Sequence, residues 1–162
     1  MTLLRRIFAS IFLLSAFGLS APSADRIVIE KSARRMTIYR GSEKLHTYKV
    51  SLGGEPKGAK TQQGDHRTPE GEYTIDQRNP NSHYYKALHI SYPNAADRAR
   101  ARKLGVSPGG DIMIHGLPNG QRWIGKAHLL HDWTDGCIAV TDEEMDEIWP
   151  VISVGIIVEI RP

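Results

Sequence analysis

The sequence predicts a mainly β domain with two short covering helices. Many short segments rich in β-branched residues are separated by Gly, Pro and polar turns, and only two stretches carry helix caps. No internal repeat divides the chain. The part after residue 24 has about 138 residues, the size of one domain with its own core. One β-rich domain covered by helices is therefore the expected architecture.

The strand signals lie at intervals along the whole chain. Residues 41–44 predict a hairpin turn between the second and third strands. Residues 53–71 and 77–83 have no apolar period and predict loops, and a loop as long as the first is usually functional or mobile. The predicted strands are residues 26–30, 35–40, 45–52, 72–76, 86–92, 111–115, 138–140 and 154–160.

Two helices are predicted from their end signals. Asn94 is a plausible N-cap for a helix over residues 95–104, and Gly105 suits the position after its end. Thr141 and Glu144 form a capping box that begins the second helix. The apolar residues of that helix share one face: Met145, Ile148, Trp149 and Ile152.

Residues 1–24 predict a secretory signal peptide. Two arginines, Arg5 and Arg6, precede the mostly apolar residues 7–20, and small residues follow. The apolar run is shorter than the roughly 20 residues of a membrane span, so a retained anchor is the alternative. Cleavage after Ser20, Ala21 or Ala24 fits the pattern. Residues 25–162 then form one exported domain, periplasmic or associated with the cell wall.

The charge of the chain argues against nucleic acid as a partner. The formal net charge is +3, and removing Arg5 and Arg6 from the 21 basic residues leaves near balance with the 18 acidic ones. A nearly balanced charge gives no argument for a phosphate-binding surface. No other stretch is apolar enough to span a membrane, so no membrane contact is expected after cleavage.

Cys137 is the only cysteine and cannot form a disulfide within the chain. In an exported protein such a thiol is buried and inert, paired between chains, or used as a nucleophile. Gly136 permits a tight turn before it, and residues 138–140 continue as a buried strand. The backbone amides of Gly136 and Cys137 could then point at a developing oxyanion.

His115 is the best candidate for a base among the seven histidines. It ends the apolar residues 112–114 and precedes Gly116, which predicts a side chain at the end of a buried strand. Two strand ends could bring thiol and imidazole together as a Cys–His acyl-transfer pair.

Two other interpretations stay open on residue types alone. His115 and Cys137 could be a core histidine and a small buried hydrophobe. A polar cluster could bind zinc, although it lacks the usual zinc-site spacings. The cluster consists of His128, His131, Asp132, Asp135 and Cys137.

Three motifs resemble the L,D-transpeptidase catalytic domain (YkuD-like) family. The first is His115-Gly116 followed, after a loop, by Thr134-Asp135-Gly136-Cys137. The second, GDHRTPEG at residues 64–71, is similar to the family's Gly-Asp-x-x-Thr-Pro-x-Gly turn. The third, ALHISYP at residues 87–93, is like the strand that follows that turn. In the family's order, these motifs extend the resemblance over most of residues 26–160.

The resemblance implies a YkuD-like β-sandwich of mixed sheets with the active site in a cleft. It implies that Cys137 attacks the L,D-peptide bond between a diaminopimelate-type residue and D-alanine in peptidoglycan stem peptides. His115 would be the general base, oriented by the backbone carbonyl of Gly116. The thioester would pass to an amine or to water. No metal or organic cofactor is implied, and a wall-attached protein is a further candidate acceptor or substrate.

The active-site motif departs from the family's usual form at Asp135, where a histidine is common. The Trp-Thr-Asp-Gly-Cys version resembles a sub-branch whose members include hydrolases and amidases. Asp135 could bind the loop, hold His115, or disfavour the thiolate by like charge. Thr134, Asp135 and Gly136 are expected to support the cysteine loop and the oxyanion position.

Several other side chains are candidates for substrate contacts. Trp133 flanks the cysteine loop, Tyr84 is a candidate cleft wall, and Arg67 could pair with a substrate carboxylate. Each has a structural alternative, because aromatic residues usually fill cores and Arg67 could simply support its turn. Trp123 and Tyr85 are weaker wall candidates.

Three functions are therefore compared. The first is an L,D-transpeptidase that forms cross-links or attaches protein to the wall. The second is an L,D-carboxypeptidase or amidase on the same scaffold. The third is a wall-binding module without turnover, in which Cys137 is structural.

Overall fold

The computed structural model describes residues 23–162 and contains eight strands. Their order across the sheet is β3-β2-β1-β8-β4-β5-β6-β7. In chain order the strands are β1 (Arg26–Glu30), β2 (Arg35–Arg40), β3 (Glu43–Lys49), β4 (Gly71–Ser82), β5 (Tyr85–Ile90), β6 (Met113–His115), β7 (Ile138–Ala139) and β8 (Ile157–Arg161). The predicted mainly β fold is confirmed. The signal-peptide prediction concerns residues 1–22 almost entirely, and these lie outside the described part of the chain.

The sheet is mixed and curled. Its β1–β8 and β6–β7 pairs are parallel, and the other strand pairs are antiparallel. Strand β4 joins the two halves of the sheet, because its first residues pair with β8 and its later residues with β5. One apolar core contains residues from both halves, including Ile27, Ile38, Leu88 and Ile138.

Strand β4 is longer than predicted. Residues 77–83 were expected to form a loop, but the strand continues to Ser82 as far as the turn into β5. The loop prediction for residues 77–83 was wrong. It was based on the polar composition of this stretch and on Pro80, because proline seldom occurs within a strand. Arg78, whose guanidinium lies over the Trp149 ring at 4.2 Å and donates to the Trp149 carbonyl, anchors this extension.

Both predicted helices are present. Helix α1 (Ala95–Leu104) has Asn94 as its N-cap and Gly105 in the left-handed region after its end. Helix α2 (Asp142–Ile148) has the predicted capping box of Thr141 and Glu144. A 3₁₀ helix over Arg122–Leu130 was not predicted, and Gly125 interrupts it with non-helical angles. In residues 23–162 no helix is both long enough and apolar enough to span a membrane.

A long loop, residues 53–70, crosses the end of the sheet without regular structure, as predicted. Lys31 fixes it to the end of β1, although its side chain is only 2% exposed. The Lys31 ammonium donates to the Gly58 carbonyl at 2.6 Å, the Thr68 carbonyl at 2.9 Å and the Glu70 carboxylate at 2.8 Å. Three bonds match the three donors of an ammonium, so this buried charge is fully satisfied.

Candidate active site

His115 ends β6, and Cys137 directly precedes β7, which pairs with β6 in parallel. In the β6–β7 pair, Ile114 lies opposite Ile138 and His115 opposite Ala139. Continued by one residue, this register puts Cys137 opposite Met113. Side chains two residues apart on a strand point to the same face, so the thiol and the imidazole share one face. The Val140 amide donates to the His115 carbonyl at 3.0 Å and extends the pairing.

The imidazole of His115 is held in one orientation. The residue is 4% exposed, and its Nδ1 lies 2.7 Å from the Gly116 carbonyl oxygen. Because a carbonyl only accepts, Nδ1 carries the proton and Nε2 is left as an acceptor. Burial lowers the pKa of His115 to about 4 despite the opposing effect of this hydrogen bond. At neutral pH the ring is therefore neutral and can take a proton.

Gly116 cannot carry a side chain at this position. A Cβ atom there would lie 2.6 Å from Asp142 Oδ1 and 3.0 Å from the Tyr85 Cβ. The same Asp142 oxygen accepts the Leu117 amide at 2.8 Å. The first residue of α2 thus fixes the turn that presents the Gly116 carbonyl to His115.

The thiol of Cys137 is protonated at neutral pH. Burial raises its pKa to about 11, and the nearby charges of Asp135 and Asp111 act in the same direction. The Met113 amide acts in the opposite direction through a hydrogen bond to the sulfur. A protonated thiol beside a neutral imidazole must lose its proton as it attacks, rather than exist as a preformed ion pair.

The loop before Cys137 is fixed by Thr134. Its hydroxyl donates to the Cys137 carbonyl at 2.8 Å and accepts from the Gly136 amide at 3.1 Å. The Gly136 amide is therefore already bonded, which leaves the Cys137 amide as the candidate oxyanion donor. Gly136 has φ +126, and a Cβ there would lie 2.6 Å from the Arg67 carbonyl, so this position requires glycine.

Aromatic rings cover the histidine. The ring centroids of Tyr84 and His115 are 4.6 Å apart, and those of Trp133 and His115 are 5.9 Å apart. Tyr84 is 40% exposed and lines the cleft together with Trp133. Both candidate wall residues therefore lie beside the reacting pair.

Other wall candidates lie elsewhere. Arg67 is not among the cleft-lining residues, and its amide donates to Asp65 while its carbonyl packs on Gly136. The Tyr85 hydroxyl donates to Asp146, and Trp123 is 82% exposed on the 3₁₀ helix. Arg67 thus lies outside the residues that line the cleft, and its role as a substrate contact stays a prediction.

Asp135 binds a histidine, but not His115. Its Oδ1 lies 2.8 Å from Nδ1 of His66, a residue of the long loop. The Asp135 side chain is 91% exposed and that of His66 is 55% exposed. The sequence analysis did not single out His66 as a site residue, because its place opposite the cysteine loop depends on how the long loop folds.

The cleft encloses about 700 Å³ and has a loop wall opposite the strand wall. Lys60, Gln63, Gly64 and His66 from residues 53–70 line it. The Lys60 side chain is 3% exposed, and its ammonium binds the Asp65 carboxylate at 2.7 Å and the Gln62 carbonyl at 3.1 Å. No local pattern marked Lys60, since a lysine in a polar loop is ordinarily solvated.

The residues considered for zinc do not converge. Asp132 is paired with Arg34 at 2.8 Å, and Nδ1 of His128 lies 3.2 Å from the Ser51 hydroxyl. Asp135 faces His66. Among residues 23–162, no three His, Cys, Asp or Glu side chains are gathered so that they could hold a metal ion.

Comparison with known proteins identifies the family. The model of the L,D-transpeptidase catalytic domain matches residues 24–160. The chain belongs to the L,D-transpeptidase catalytic domain family. A curated relative is the putative L,D-transpeptidase YafK of Escherichia coli K12, 33% identical over 134 residues. The match covers 78% of this chain and 46% of YafK, so the chain spans about half the length of that relative.

Solved structures share the fold. The helical cell shape determining protein Pgp2 of Campylobacter jejuni superimposes with a TM-score of 0.66 at 24% identity, over 86% of this chain and 48% of Pgp2. An L,D-transpeptidase from Mycobacterium smegmatis gives a TM-score of 0.58 at 16% identity, over 86% of this chain and 59% of the other. The predicted L,D-transpeptidase fold is therefore confirmed.

The arrangement provides the parts of an acyl-transfer site. A thiol, an oriented neutral imidazole and a backbone amide meet at one end of an open cleft.

Proposed function

We propose that this chain is an exported cysteine acyl-transfer enzyme that acts on peptidoglycan stem peptides, an L,D-transpeptidase of cell wall biogenesis or remodelling. The observation that carries the proposal is the pairing of β6 with β7, which sets Cys137 beside His115 in one cleft. The bond from His115 Nδ1 to the Gly116 carbonyl leaves Nε2 free to act as the base.

The reaction begins with the L,D-peptide bond of a donor stem. Nε2 of His115 takes the Sγ proton while sulfur attacks the carbonyl carbon, and the Cys137 amide donates to the oxyanion. The C–N bond then breaks, the proton passes from His115 to the leaving amine of D-alanine, and a thioester on Cys137 remains. An acceptor attacks the thioester, the C–S bond breaks, and the thiol is restored.

Substrate contacts are assigned to the aromatic side of the cleft. Tyr84 and Trp133 lie within ring contact of His115 and offer apolar faces to the stem near the scissile bond. Thr134 and Gly136 hold the cysteine loop in the attacking geometry. A wall-attached protein is a further candidate acceptor, because any primary amine that reaches the thioester can take the acyl group.

The second candidate is an L,D-carboxypeptidase or amidase that uses the same residues with water as the acceptor. An open cleft with polar side chains on its loop wall, which admits water, favours it. The Trp-Thr-Asp-Gly-Cys motif also resembles a sub-branch that includes hydrolases. A wall-binding module without turnover is the third candidate and predicts that Cys137 is dispensable.

Export through a signal peptide is part of the proposal. Ala24 is buried in the core, and its amide donates to the Val151 carbonyl at 3.0 Å. Cleavage after Ser20 or Ala21 would keep Ala24 in the fold, whereas cleavage after Ala24 would remove it. The N-terminal sequence of the exported protein distinguishes these sites.

Purified tetrapeptide stems incubated with the protein, with Cys137→Ala beside it, test the function. Cross-links between two diamino acids together with an acyl adduct on Cys137 are the expected products of transpeptidation. Tripeptides with free D-alanine would assign carboxypeptidase activity instead. If neither appeared, even with protein-linked stems, and the variant behaved like the parent, the protein would be a binding module.

A further inference from the structure

The cleft contains a second oriented histidine. His66 is bound through Nδ1 to a carboxylate oxygen of Asp135 at 2.8 Å, just as His115 is bound through Nδ1 to a carbonyl oxygen at 2.7 Å. A carboxylate accepts, so the proton of a neutral His66 ring lies on Nδ1 and the lone pair on Nε2. In residues 23–162 no hydrogen bond to that Nε2 is present.

The second histidine is held close to the nucleophile by its backbone. A Cβ on Gly53 would lie 2.2 Å from the His66 carbonyl and 3.1 Å from the Gly136 Cα, so these three segments are packed without space for a side chain. The neighbouring Arg67 carbonyl is similarly close to Gly136. The His66 backbone therefore packs close to the segment that directly precedes Cys137, and His66 lines the same cleft as Cys137 and His115.

His66 also has an unusual backbone. Its φ is +52, a left-handed conformation that non-glycine residues seldom adopt. Such conformations persist where surrounding structure enforces them, and they cluster at functional sites. Here the His66 carbonyl packs closely against Gly53, and the residue lines the cleft.

His115 and His66 differ in their exposure to solvent. His115 is 4% exposed and lies under the Tyr84 ring, whereas the His66 side chain is 55% exposed at the mouth of the cleft. Once a donor stem is attached to Cys137, an incoming nucleophile approaches the thioester from the solvent. His66, the more exposed of the two histidines, lines the cleft through which we infer that this approach takes place.

We propose that His66, oriented by Asp135, is the general base for the acceptor in the second half of the reaction. This inference rests on the proposed function. An N–H or O–H group of the acceptor passes its proton to Nε2 of His66 while its lone pair attacks the thioester carbonyl. The C–S bond breaks, Cys137 leaves as a thiolate, and the proton returns from His66 to that sulfur through water. Bonds and charges then balance without any further reactant.

The proposal divides the reaction between two bases. His115 accepts the proton of the attacking thiol and donates it to the departing D-alanine. His66 accepts the proton of the second nucleophile. Both an amine and water are nucleophiles that carry a removable proton, so His66 could activate either acceptor. Asp135 is a positioning residue, because it acts only through the ring that it orients.

A single-turnover experiment with a tetrapeptide stem separates the two halves. Released D-alanine reports acylation, and the acyl adduct on Cys137, followed by intact-protein mass spectrometry, reports the second step. The variant is His66→Asn, since asparagine tolerates the left-handed backbone. The matched control is His46→Asn, a histidine outside the cleft that is stacked on Tyr48.

For His66→Asn we expect one equivalent of D-alanine per enzyme at the parental rate, followed by adduct decay slowed about 100-fold, the usual scale of a general base. The second step is measured with water alone and with an added diamino-acid stem, so that the two acceptors are distinguished. Asp135→Asn should slow decay of the adduct less than His66→Asn does, and His46→Asn should match the parent.

Imidazole rescue excludes a merely structural role. His66→Gly fits the backbone angle and leaves a space, so added imidazole should restore adduct decay without changing the rate of D-alanine release. If the adducts of His66→Asn and His46→Asn both decay at the parental rate, His66 is not the base and His115 acts in both steps. If the parent itself forms no adduct and releases no D-alanine, the proposed function is lost and this inference with it.

Discussion

The two walls of the cleft are built in different ways. The strand wall, β6 and β7, is fixed by ladder hydrogen bonds and by Ile114 and Ile138, which are both fully buried. The loop wall, residues 53–70, has no ladder and is held by the ammonium groups of Lys31 and Lys60. A strand ladder is stabilised by several backbone hydrogen bonds, whereas each contact made by a buried ammonium depends on one side chain.

This difference separates the two parts of the chemistry. The thiol of Cys137 and the imidazole of His115, which we propose carry out acylation, lie on the strand wall. His66, proposed to serve the acceptor, lies on the wall that depends on a few polar contacts. Changes in the loop wall should therefore alter the acceptor step and stability before they alter attack by Cys137.

The largest expected effect is on the strand wall. His115→Gln removes the base and should lower the rate of Cys137 acylation by about 1000-fold, within the range for general bases. D-alanine release in a single turnover measures this. His46→Gln, outside the cleft and stacked on Tyr48, is the control. Equal acylation by the two variants would remove His115 from the mechanism.

The next largest effect is expected when a buried lysine of the loop wall is replaced, and it concerns the stability of the protein. Lys60→Met leaves the Asp65 carboxylate, whose side chain is 10% exposed, without its cation and should lower the free energy of unfolding by about 4 kcal/mol. Denaturant unfolding measures this loss. Lys57→Met, an exposed residue of the same loop, should change stability little. If both variants were equally stable, the buried ammonium would not hold this wall.

His115 should also make stability depend on pH. Because its folded pKa of about 4 lies below its unfolded value of 6.5, the unfolded chain binds the proton first as the pH falls. The contribution is complete above pH 6.5 and is lost between 6.5 and about 4, by up to about 3 kcal/mol. Comparing the parent with His115→Gln by denaturant unfolding across this window isolates it. Parallel curves for the two proteins would contradict it.

The smallest effect is expected on the 3₁₀ helix, away from both walls. Trp123 is 82% exposed, so Trp123→Ser should change the free energy of unfolding by less than about 0.5 kcal/mol. Acylation should be unchanged in single turnover. A slower acylation by this variant would extend the substrate surface beyond the two walls.

Local signals predicted the regular elements well where they are strongest. The caps of Asn94, Gly105 and Thr141 placed both helices, because a capping side chain satisfies backbone groups that only a helix end leaves open. Strand β7 was also expected, although only Ile138–Ala139 pair. The extension of β4 was missed because Arg78 on Trp149 is a long-range contact that the local composition does not contain.

Some residues of the candidate site were also recognisable from local patterns, and others were not. Cys137 and His115 were recognisable, because a lone thiol after glycine and a histidine at the end of an apolar strand are local patterns. Gly116 and Thr134 followed from the resemblance. Arg67 was a candidate substrate contact; it is not among the residues that line the cleft, and its role stays a prediction.

The sequence by itself determined the mainly β domain, its helix ends, the family and the reacting pair, because periodicity, caps and contiguous motifs are properties of neighbouring residues. The tertiary structure decided which side chains share the cleft. Asp135 meets His66, and Lys60 becomes buried, only after residues 53–70 fold across the sheet. The close packing of Gly53 and Gly136 that holds this loop joins distant parts of the chain, and no local pattern encodes such contacts.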